Sequence, residues 1–232
     1  MRPDAPASGG PAVFFVGAGL LGGSWLVVRR RDGVSRAEER VFVQINTLAD
    51  ELHPVLWGPM QAGNVAGSLA LVGVAHAVRH DRRLSVAALL ASQSAFWSAK
   101  VIKRWVARGR PAAYLPATRE RERASGLGFV SGHAAVAGAL AAVLGRELEP
   151  AARVGVTAVA LTVAMGRIYV GAHLPLDVVG GAGLGLMTGA VARRVAGLDV
   201  PGRDVRSDCG APARGSSATP EGSATSRSQG GS

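Results

Sequence analysis

The chain has 232 residues, is 48% hydrophobic and carries a formal net charge of +10, with a mean hydropathy of +0.22. Long uncharged runs joined by short Arg-rich connectors favour a membrane domain with basic flanks over a soluble domain. The only cysteine, Cys209, lies in a polar tail, which excludes a disulfide framework and a cysteine-based metal site. The positive charge suits anionic lipid head groups or phosphate esters, and on charge alone nucleic acid as well.

The N-terminal region predicts one membrane span followed by an amphipathic helix. Residues 1–11 form a polar segment, and residues 12–28 are uncharged and nearly long enough to cross the hydrocarbon. A signal peptide is the alternative, but three arginines follow where a cleavage site with small residues is expected. In the basic linker 29–54, Ser35 and Glu38 have capping-box spacing. Apolar residues then recur at helical intervals and predict an amphipathic helix on the membrane surface or against the bundle: Val41, Ile45, Leu48, Leu52 and Val55.

Five further uncharged runs predict the remaining spans of a six-transmembrane-helix bundle, an all-α fold. They cover residues 54–78, 84–99, 124–145, 154–166 and 174–192, within a core at 55–195. The last run is rich in glycine, which permits close helix packing. Six spans place both termini on one side of the membrane. Residues 196–232 contain almost no large apolar side chains and are predicted to be a disordered tail.

Ionisable residues at the ends of the predicted spans are costly in a membrane and need an explanation. Lys103 and Arg110 follow the third span at a spacing that places them on one helical face, and Pro111 then ends that helix. A cationic stop after a membrane span explains these two residues equally well. His133 lies inside the fourth run and, taken alone, is as consistent with a hydrogen-bonded packing residue as with a catalyst.

The fifth and sixth spans add an arginine and a second histidine. Arg167 interrupts the end of the fifth run, and His173 and Asp177 are four residues apart around Pro175, which suits the first turn of the sixth helix. A carboxylate one turn from a histidine can accept one ring N–H and leave the other nitrogen free. Six spans bring all six ionisable residues to the same membrane face: Lys103, Arg110, His133, Arg167, His173 and Asp177. One pocket for a phosphoryl group explains them together.

Three motifs carry a resemblance to a known family. They are Lys103-(six residues)-Arg110-Pro111, Ser131-Gly132-His133, and Arg167-(five residues)-His173-(three residues)-Asp177. In this order they resemble the signatures of the type 2 phosphatidic acid phosphatase (PAP2) superfamily, over about residues 55–192. The resemblance implies a metal-independent lipid phosphatase, without cofactors, that forms a phosphohistidine intermediate.

The resemblance also implies a role for each motif residue. His173 is then the nucleophile, Asp177 orients it and His133 is the general acid. The residues implied to bind phosphate are Lys103, Arg110, Arg167, Ser131 and Gly132. Two positions depart from the family pattern, because Val130 replaces a usual proline and Gly166 a usual serine. Neither change removes a proton-transfer group, so activity is expected to survive.

The sequence also leaves other functions open. A vanadium-dependent haloperoxidase would use a related pocket, but six apolar spans argue against it because such peroxidases are soluble. A non-catalytic lipid-phosphate binding or transport protein is a second alternative, but it has no need for two histidines and Asp177. Nucleic-acid binding is disfavoured because the Arg-rich loop is short and contains Glu120 and Glu122. The expected partners are the bilayer and a lipid phosphate: a polyprenyl diphosphate such as undecaprenyl diphosphate, phosphatidic acid or phosphatidylglycerol phosphate.

Two further expectations concern the head group and the membrane orientation. The loop 108–123, with Tyr114, is predicted to read the head group. The arginines near the spans do not settle which side of the membrane holds the site. By family analogy, the protein is expected in the cell membrane with its site on the outer face and its termini in the cytoplasm. The sequence indicates no oligomeric state.

Overall fold

The computed structural model describes residues 9–31 and 33–199, and every regular element within them is helical. The α-helices are α1 (Gly9–Arg29), α2 (Arg36–Asn46), α3 (His53–Met60), α4 (Val65–Arg79), α5 (Arg82–Val106), α6 (Gly132–Leu144), α7 (Pro150–Tyr169) and α8 (Pro175–Val195). Single 3₁₀ turns occur at Asp50–Leu52, Gln61–Gly63, Pro111–Ala113 and Gly145–Glu147. The predicted all-α class is confirmed for these residues. The predicted tail falls outside them from residue 200 onward.

Helix α8 forms the centre of the bundle and packs most extensively against α6 and α1, while α5 packs against both α6 and α8. A Cβ atom added at Gly183 would lie 2.6 Å from the carbonyl oxygen of Gly17 in α1. Added Cβ atoms at Gly181 and Gly185 would collide with backbone carbonyl oxygens of Ser131 and Ala135, at the start of α6. The predicted close approach of glycine-rich helices is therefore confirmed.

Among the described residues, three helices are long and apolar enough to cross a bilayer: α1, α7 and α8. Helix α4 is apolar but has only 15 residues. Helix α6 has 13 residues, which at about 1.5 Å per residue is about 20 Å, short of the roughly 30 Å of hydrocarbon. Six spans are therefore not confirmed, although the helices expose many large apolar side chains, among them Phe15, Val78 and Leu161.

The second predicted span is not one helix, and the prediction of a continuous run over 54–78 is wrong. Helix α3 ends at Met60 and a 3₁₀ turn follows. Asn64 then adopts an extended conformation, and its side chain accepts a hydrogen bond of 2.7 Å from the N–H of Gly67, which caps α4. This break folds Met60 into the interior, where it is 1% exposed.

The fourth predicted span is also shorter than the uncharged run. Residues 124–131 are irregular, and α6 begins only at Gly132 with Ser131 as its N-cap. Hydropathy alone does not separate an apolar loop from an apolar helix, and this loop is rich in glycine. As a result, part of the predicted span is a loop at the helix ends, where it can contribute to a site.

Helix α2 has the predicted N-cap, because the Ser35 side chain accepts a hydrogen bond of 3.2 Å from the N–H of Glu38. The helix nevertheless ends at Asn46, and its buried face consists of Glu38, Phe42 and Asn46. Four of the five apolar residues predicted to form the apolar face are exposed: Val41, Leu48, Leu52 and Val55. Packing of this face against the bundle is therefore wrong, whereas its exposure is what the membrane-surface alternative predicts. The Asn46 side chain forms hydrogen bonds with the backbones of Arg119 and Tyr169. These bonds hold the Glu38, Phe42 and Asn46 face of α2 against the bundle.

Candidate active site

A cavity of about 550 Å³ lies where the last turns of α5 and α7 meet the beginnings of α6 and α8. Six of the predicted site residues line it: Lys103, Arg110, Gly132, His133, Arg167 and His173. Each comes from the end of a helix or from the loop beside it, so the fold brings together residues up to 70 positions apart in the chain. The cavity lining also includes Phe96 and Ala99 of α5, which give it an apolar end.

Lys103 and Arg110 reach the cavity from different backbone segments. Ala107 has a left-handed backbone, with φ of 53°, and ends α5, so Arg110 lies in the following extended segment. The prediction that both lie on one helical face is wrong. The Lys103 ammonium donates to the carbonyl oxygens of Leu127 and Gly128, at 2.9 and 3.0 Å. The side chain therefore also holds the loop that precedes α6.

The Arg110 guanidinium joins two loops at the wall of the cavity. Its Nη1 donates to the carbonyl oxygen of Ala172 at 2.6 Å, next to His173. Its Nε and Nη2 donate to the carbonyl oxygen of Ser125, and Nε is also 3.1 Å from that of Gly126. A phosphate in the cavity would have to share or replace these bonds. Arg110 thus couples the loop over the cavity to the histidine segment.

Arg167 lies at the end of α7 and is 8% exposed. Its Nη1 donates to Oε2 of Glu122 at 2.7 Å, while its buried Nε has no hydrogen-bond partner. An unpaired buried N–H on a charged group is costly. A phosphate oxygen in the cavity is the type of acceptor that would satisfy it.

His173 and Asp177 lie side by side at the beginning of α8, with Pro175 at the first helical position as predicted. Nδ1 of His173 is 3.6 Å from Oδ2 of Asp177, just beyond hydrogen-bond distance, and Nδ1 is buried without another partner. Since Nδ1 faces the carboxylate, Nε2 is the nitrogen left for the cavity. Burial lowers the pKa of His173 to about 4, against the opposing effect of Asp177, so the imidazole is neutral near pH 7.

His133 is the second residue of α6 and shares the cavity with His173. Ser131, directly before the helix, is fully buried and does not line the cavity. Its hydroxyl oxygen instead accepts a long 3.4 Å hydrogen bond from the N–H of Ala134, as the N-cap of α6. The structure therefore places Ser131 as a support for His133, in contrast to its predicted phosphate contact.

Behind the histidine lies an ion-pair network that sequence reasoning missed. Arg108 donates to Oδ1 of Asp177 at 2.9 Å and makes a two-pronged pair with Glu38 of α2, at 2.7 and 3.1 Å. The three side chains are at most 4% exposed. The sequence pattern predicts only a capping box for Glu38 and a head-group loop for Arg108. The one available signal was the recurrence of Glu38, Phe42 and Asn46 at intervals of four residues.

The predicted head-group loop contributes less than expected. Tyr114 does not line the cavity, and its hydroxyl accepts a hydrogen bond of 3.0 Å from the N–H of Gly109. Of this loop, Arg110 and Arg123 line the cavity, which continues along residues 124–127, and Arg123 joins Lys100 and Arg104 as further cations there. Within the described part of the chain, no group of three His, Cys, Asp or Glu side chains is arranged to hold a metal ion.

Gly166, which replaces the usual family serine, packs directly against Met60. A Cβ atom at position 166 would lie 2.5 Å from the sulfur of Met60 and 2.6 Å from its Cγ. Met60 itself is 1% exposed and cannot move into solvent. The departure at Gly166 is therefore matched by the break after α3 that places Met60 beside α7.

The comparisons with known proteins agree with this architecture. The PAP2 superfamily matches residues 83–199. A transmembrane PAP2-type phosphatidylglycerolphosphate phosphatase from Bacillus subtilis superposes with a TM-score of 0.69 at 21% identity, over 82% of this chain and all of the other. LpxE from Aquifex aeolicus superposes with a TM-score of 0.62 at 23% identity, over 67% of this chain and 93% of the other. No curated protein sequence matches significantly. The family match covers half of the chain and all three motifs, so the chain belongs to the PAP2 superfamily and has the fold of these two proteins.

Proposed function

We propose that this protein is a metal-independent membrane phosphatase that removes phosphate from a lipid through a phosphohistidine at His173. The observation that carries the proposal is the cavity with two histidines, three motif cations and a buried carboxylate behind one histidine. None of the described residues that line the cavity is acidic. This arrangement suits a phosphoryl group, whose transfer depends mainly on positioning and on stabilisation of negative charge.

The first step forms the phosphoenzyme. Nε2 of neutral His173 attacks phosphorus, and the bond from phosphorus to the lipid oxygen breaks as the N–P bond forms. Asp177, whose Oδ2 faces Nδ1 of His173, stabilises the positive charge that develops on the imidazole. Lys103, Arg110 and Arg167 face the phosphoryl oxygens and stabilise their charge.

His133 supports both steps as a proton carrier. It protonates the departing lipid oxygen, then takes a proton from the water that attacks the phosphohistidine and releases inorganic phosphate. Burial first, and then the surrounding cations, disfavour the charged form of His133. A substrate phosphate brings the negative charge that offsets them, so His133 acquires its proton together with the substrate.

The apolar end of the cavity favours a lipid over a water-soluble phosphate ester. Phe96 and Ala99 lie on α5, one to two turns before Lys103, on the same side as the cavity. An alkyl or prenyl tail along this helix would keep the phosphate among the cations. Lys100, Arg104 and Arg123 add positive charge and favour a head group with more than one phosphate, such as a polyprenyl diphosphate. Phosphatidic acid and phosphatidylglycerol phosphate fit the same chemistry.

A phosphate-release assay tests the proposal. Purified protein in detergent is given a polyprenyl diphosphate, phosphatidic acid and phosphatidylglycerol phosphate in the presence of EDTA, with His173→Ala as the control. We expect release from at least one lipid by the wild type and none by the variant. Binding without release would instead identify a lipid-binding or transport protein, and activity only after metal addition would contradict the metal-independent mechanism.

We further propose that the protein lies in the cell membrane with its site on the outer face, by analogy with the family and in line with the three apolar helices. Six spans would put the turn at 79–83 and the loop at 108–123 on opposite sides. Single cysteines introduced there, in protein lacking Cys209, should react with an impermeant thiol reagent from opposite sides of sealed cells and inverted vesicles. Labelling of both positions from one side contradicts this topology.

A further inference from the structure

We infer that Glu38 and Arg108 are positioning residues for the nucleophile, acting on His173 through Asp177. This inference rests on the proposed function and extends it to two residues outside the family motifs. Glu38 also lies outside the matched residues 83–199. Neither side chain is proposed to touch the substrate.

The contacts around Asp177 leave its carboxylate a single orientation. Oδ1 accepts a hydrogen bond of 2.9 Å from Nη1 of Arg108, and Oδ2 accepts one of 3.0 Å from the N–H of Leu174. Oδ2 is also the oxygen that faces His173. Because Arg108 and Leu174 hold the two oxygens separately, rotation of the carboxylate away from His173 would break a charge-assisted bond in the interior.

Glu38 in turn fixes Arg108 and the first turn of α8. Its two carboxylate oxygens accept bonds from both Nη atoms of Arg108 at 3.1 and 2.7 Å. Its Oε1 also accepts a bond of 3.0 Å from the N–H of Leu176, an early helical N–H that has no partner within the helix. One side chain from α2 therefore holds both the arginine and the backbone beside the histidine.

The charges explain why a third group is needed. Arg108 alone would form a neutral pair with Asp177 and reduce the negative charge available to His173. Glu38 neutralises Arg108, so the three buried groups together carry one net negative charge beside the histidine. This charge stabilises the imidazole as it becomes positive during attack. Loss of Glu38 should therefore slow attack even where the fold survives.

The test compares Glu38→Gln and Arg108→Lys with matched controls at exposed positions, Glu39→Gln and Arg119→Lys, in the full-length protein. Glutamine retains an acceptor for Leu176 but loses the charge, and lysine retains the charge but loses the fork. We expect kcat to fall by about 10–100-fold in either test variant, the usual effect of removing a partner behind a reacting group. KM should stay within about threefold, since the phosphate-binding cations are unchanged. The controls should match the wild type.

Two further measurements separate positioning from a general loss of structure. The fall in kcat should be equal for a lipid phosphate and for p-nitrophenyl phosphate, because a weaker nucleophile slows attack regardless of the leaving group. In an Asp177→Asn background, Glu38→Gln should reduce the residual kcat by less than about threefold, because its effect passes through Asp177. If Glu38→Gln acted only by lowering stability, it would reduce kcat in the Asp177→Asn protein as well. Measuring kcat with and without Glu38→Gln in that one background therefore separates positioning from lost stability.

The outcomes distinguish the inference from the proposed function. Wild-type kcat in both test variants, or full additivity with Asp177→Asn, overturns the positioning role while leaving a phosphatase intact. A rise in KM without a change in kcat also overturns it, since that pattern belongs to substrate binding. If the wild type releases no phosphate from any lipid and forms no phosphoenzyme, the proposed function itself fails.

Discussion

Restoring the family serine by Gly166→Ser should harm this protein, because Met60 occupies the space that the serine side chain needs. The added Cβ would lie 2.5 Å from the Met60 sulfur, about 1 Å inside ordinary contact distance. Overpacking of this kind costs about 1–3 kcal/mol in a well-packed interior. Part of the strain should reach Arg167, the next residue, so kcat/KM should fall together with the thermal midpoint.

The double variant Met60→Ala with Gly166→Ser tests this account. Met60→Ala alone should lose about 2–5 kcal/mol through the cavity it leaves. Adding serine fills part of that cavity, so the double variant should be more stable than Met60→Ala alone. The assays are thermal unfolding in detergent and phosphate release. A Gly166→Ser protein with an unchanged midpoint and raised kcat/KM would show that the missing serine, and not Met60, limits this site.

Three further predictions follow from the cavity. Arg110→Lys and Arg167→Lys should each lower kcat/KM at least about tenfold through loss of the guanidinium fork, with Arg119→Lys unchanged, and near wild-type kinetics would remove them from the pocket. His173→Ala should abolish phosphoenzyme from every substrate, whereas His133→Ala should lose the lipid reaction but still form acid-labile phosphoenzyme from p-nitrophenyl phosphate. Attachment of radiolabelled phosphate to the His173→Ala protein at the wild-type rate would refute this. Burial lowers the pKa of His173 from 6.5 to about 4, so between these pH values the unfolded chain binds a proton that the folded chain does not. About 3 kcal/mol of stability should therefore be lost as pH falls from 6.5 to 4. His173→Gln should flatten that part of the curve of unfolding midpoint against pH, and an unchanged curve would contradict this.

Most motif residues could be placed from sequence because they lie near the ends of uncharged runs, or, for His133, in the first part of one. Lys103, His133, Arg167 and His173 need only the rule that successive helices reverse direction, and this rule survives errors of several residues in the helix ends. The same rule was insufficient for Arg110, since the helix ends at Ala107 through a left-handed residue that no local pattern announces. Its arrival at the cavity depends on the loop after the helix.

The residues that sequence reasoning missed depend on long-range packing. Glu38 has a complete local explanation as a capping residue, and only its pairing with Arg108, 70 positions away, gives it another role. Met60 lies in a run whose hydropathy predicts a continuous span. The signal for the break is Asn64, which caps α4 four residues after α3 has ended at Met60. The apolar pattern of the α2 region does not identify the face that packs against the bundle, because Asn46, a polar residue, anchors that face.

The backbone contact between α8 and α6 fixes the spacing of these two helices. Gly181 and Gly185 bring the two main chains together with no layer of side chains between them that could repack or slide. This contact limits how far α6, which carries His133, can move relative to α8, whose first turn follows His173. Changes in bilayer thickness or fluidity should hardly alter that helix spacing. Adaptation to substrates of different size then falls to the segment 123–127 and to the apolar end of the cavity along α5, so changes of substrate range should arise there while the two helices keep their spacing.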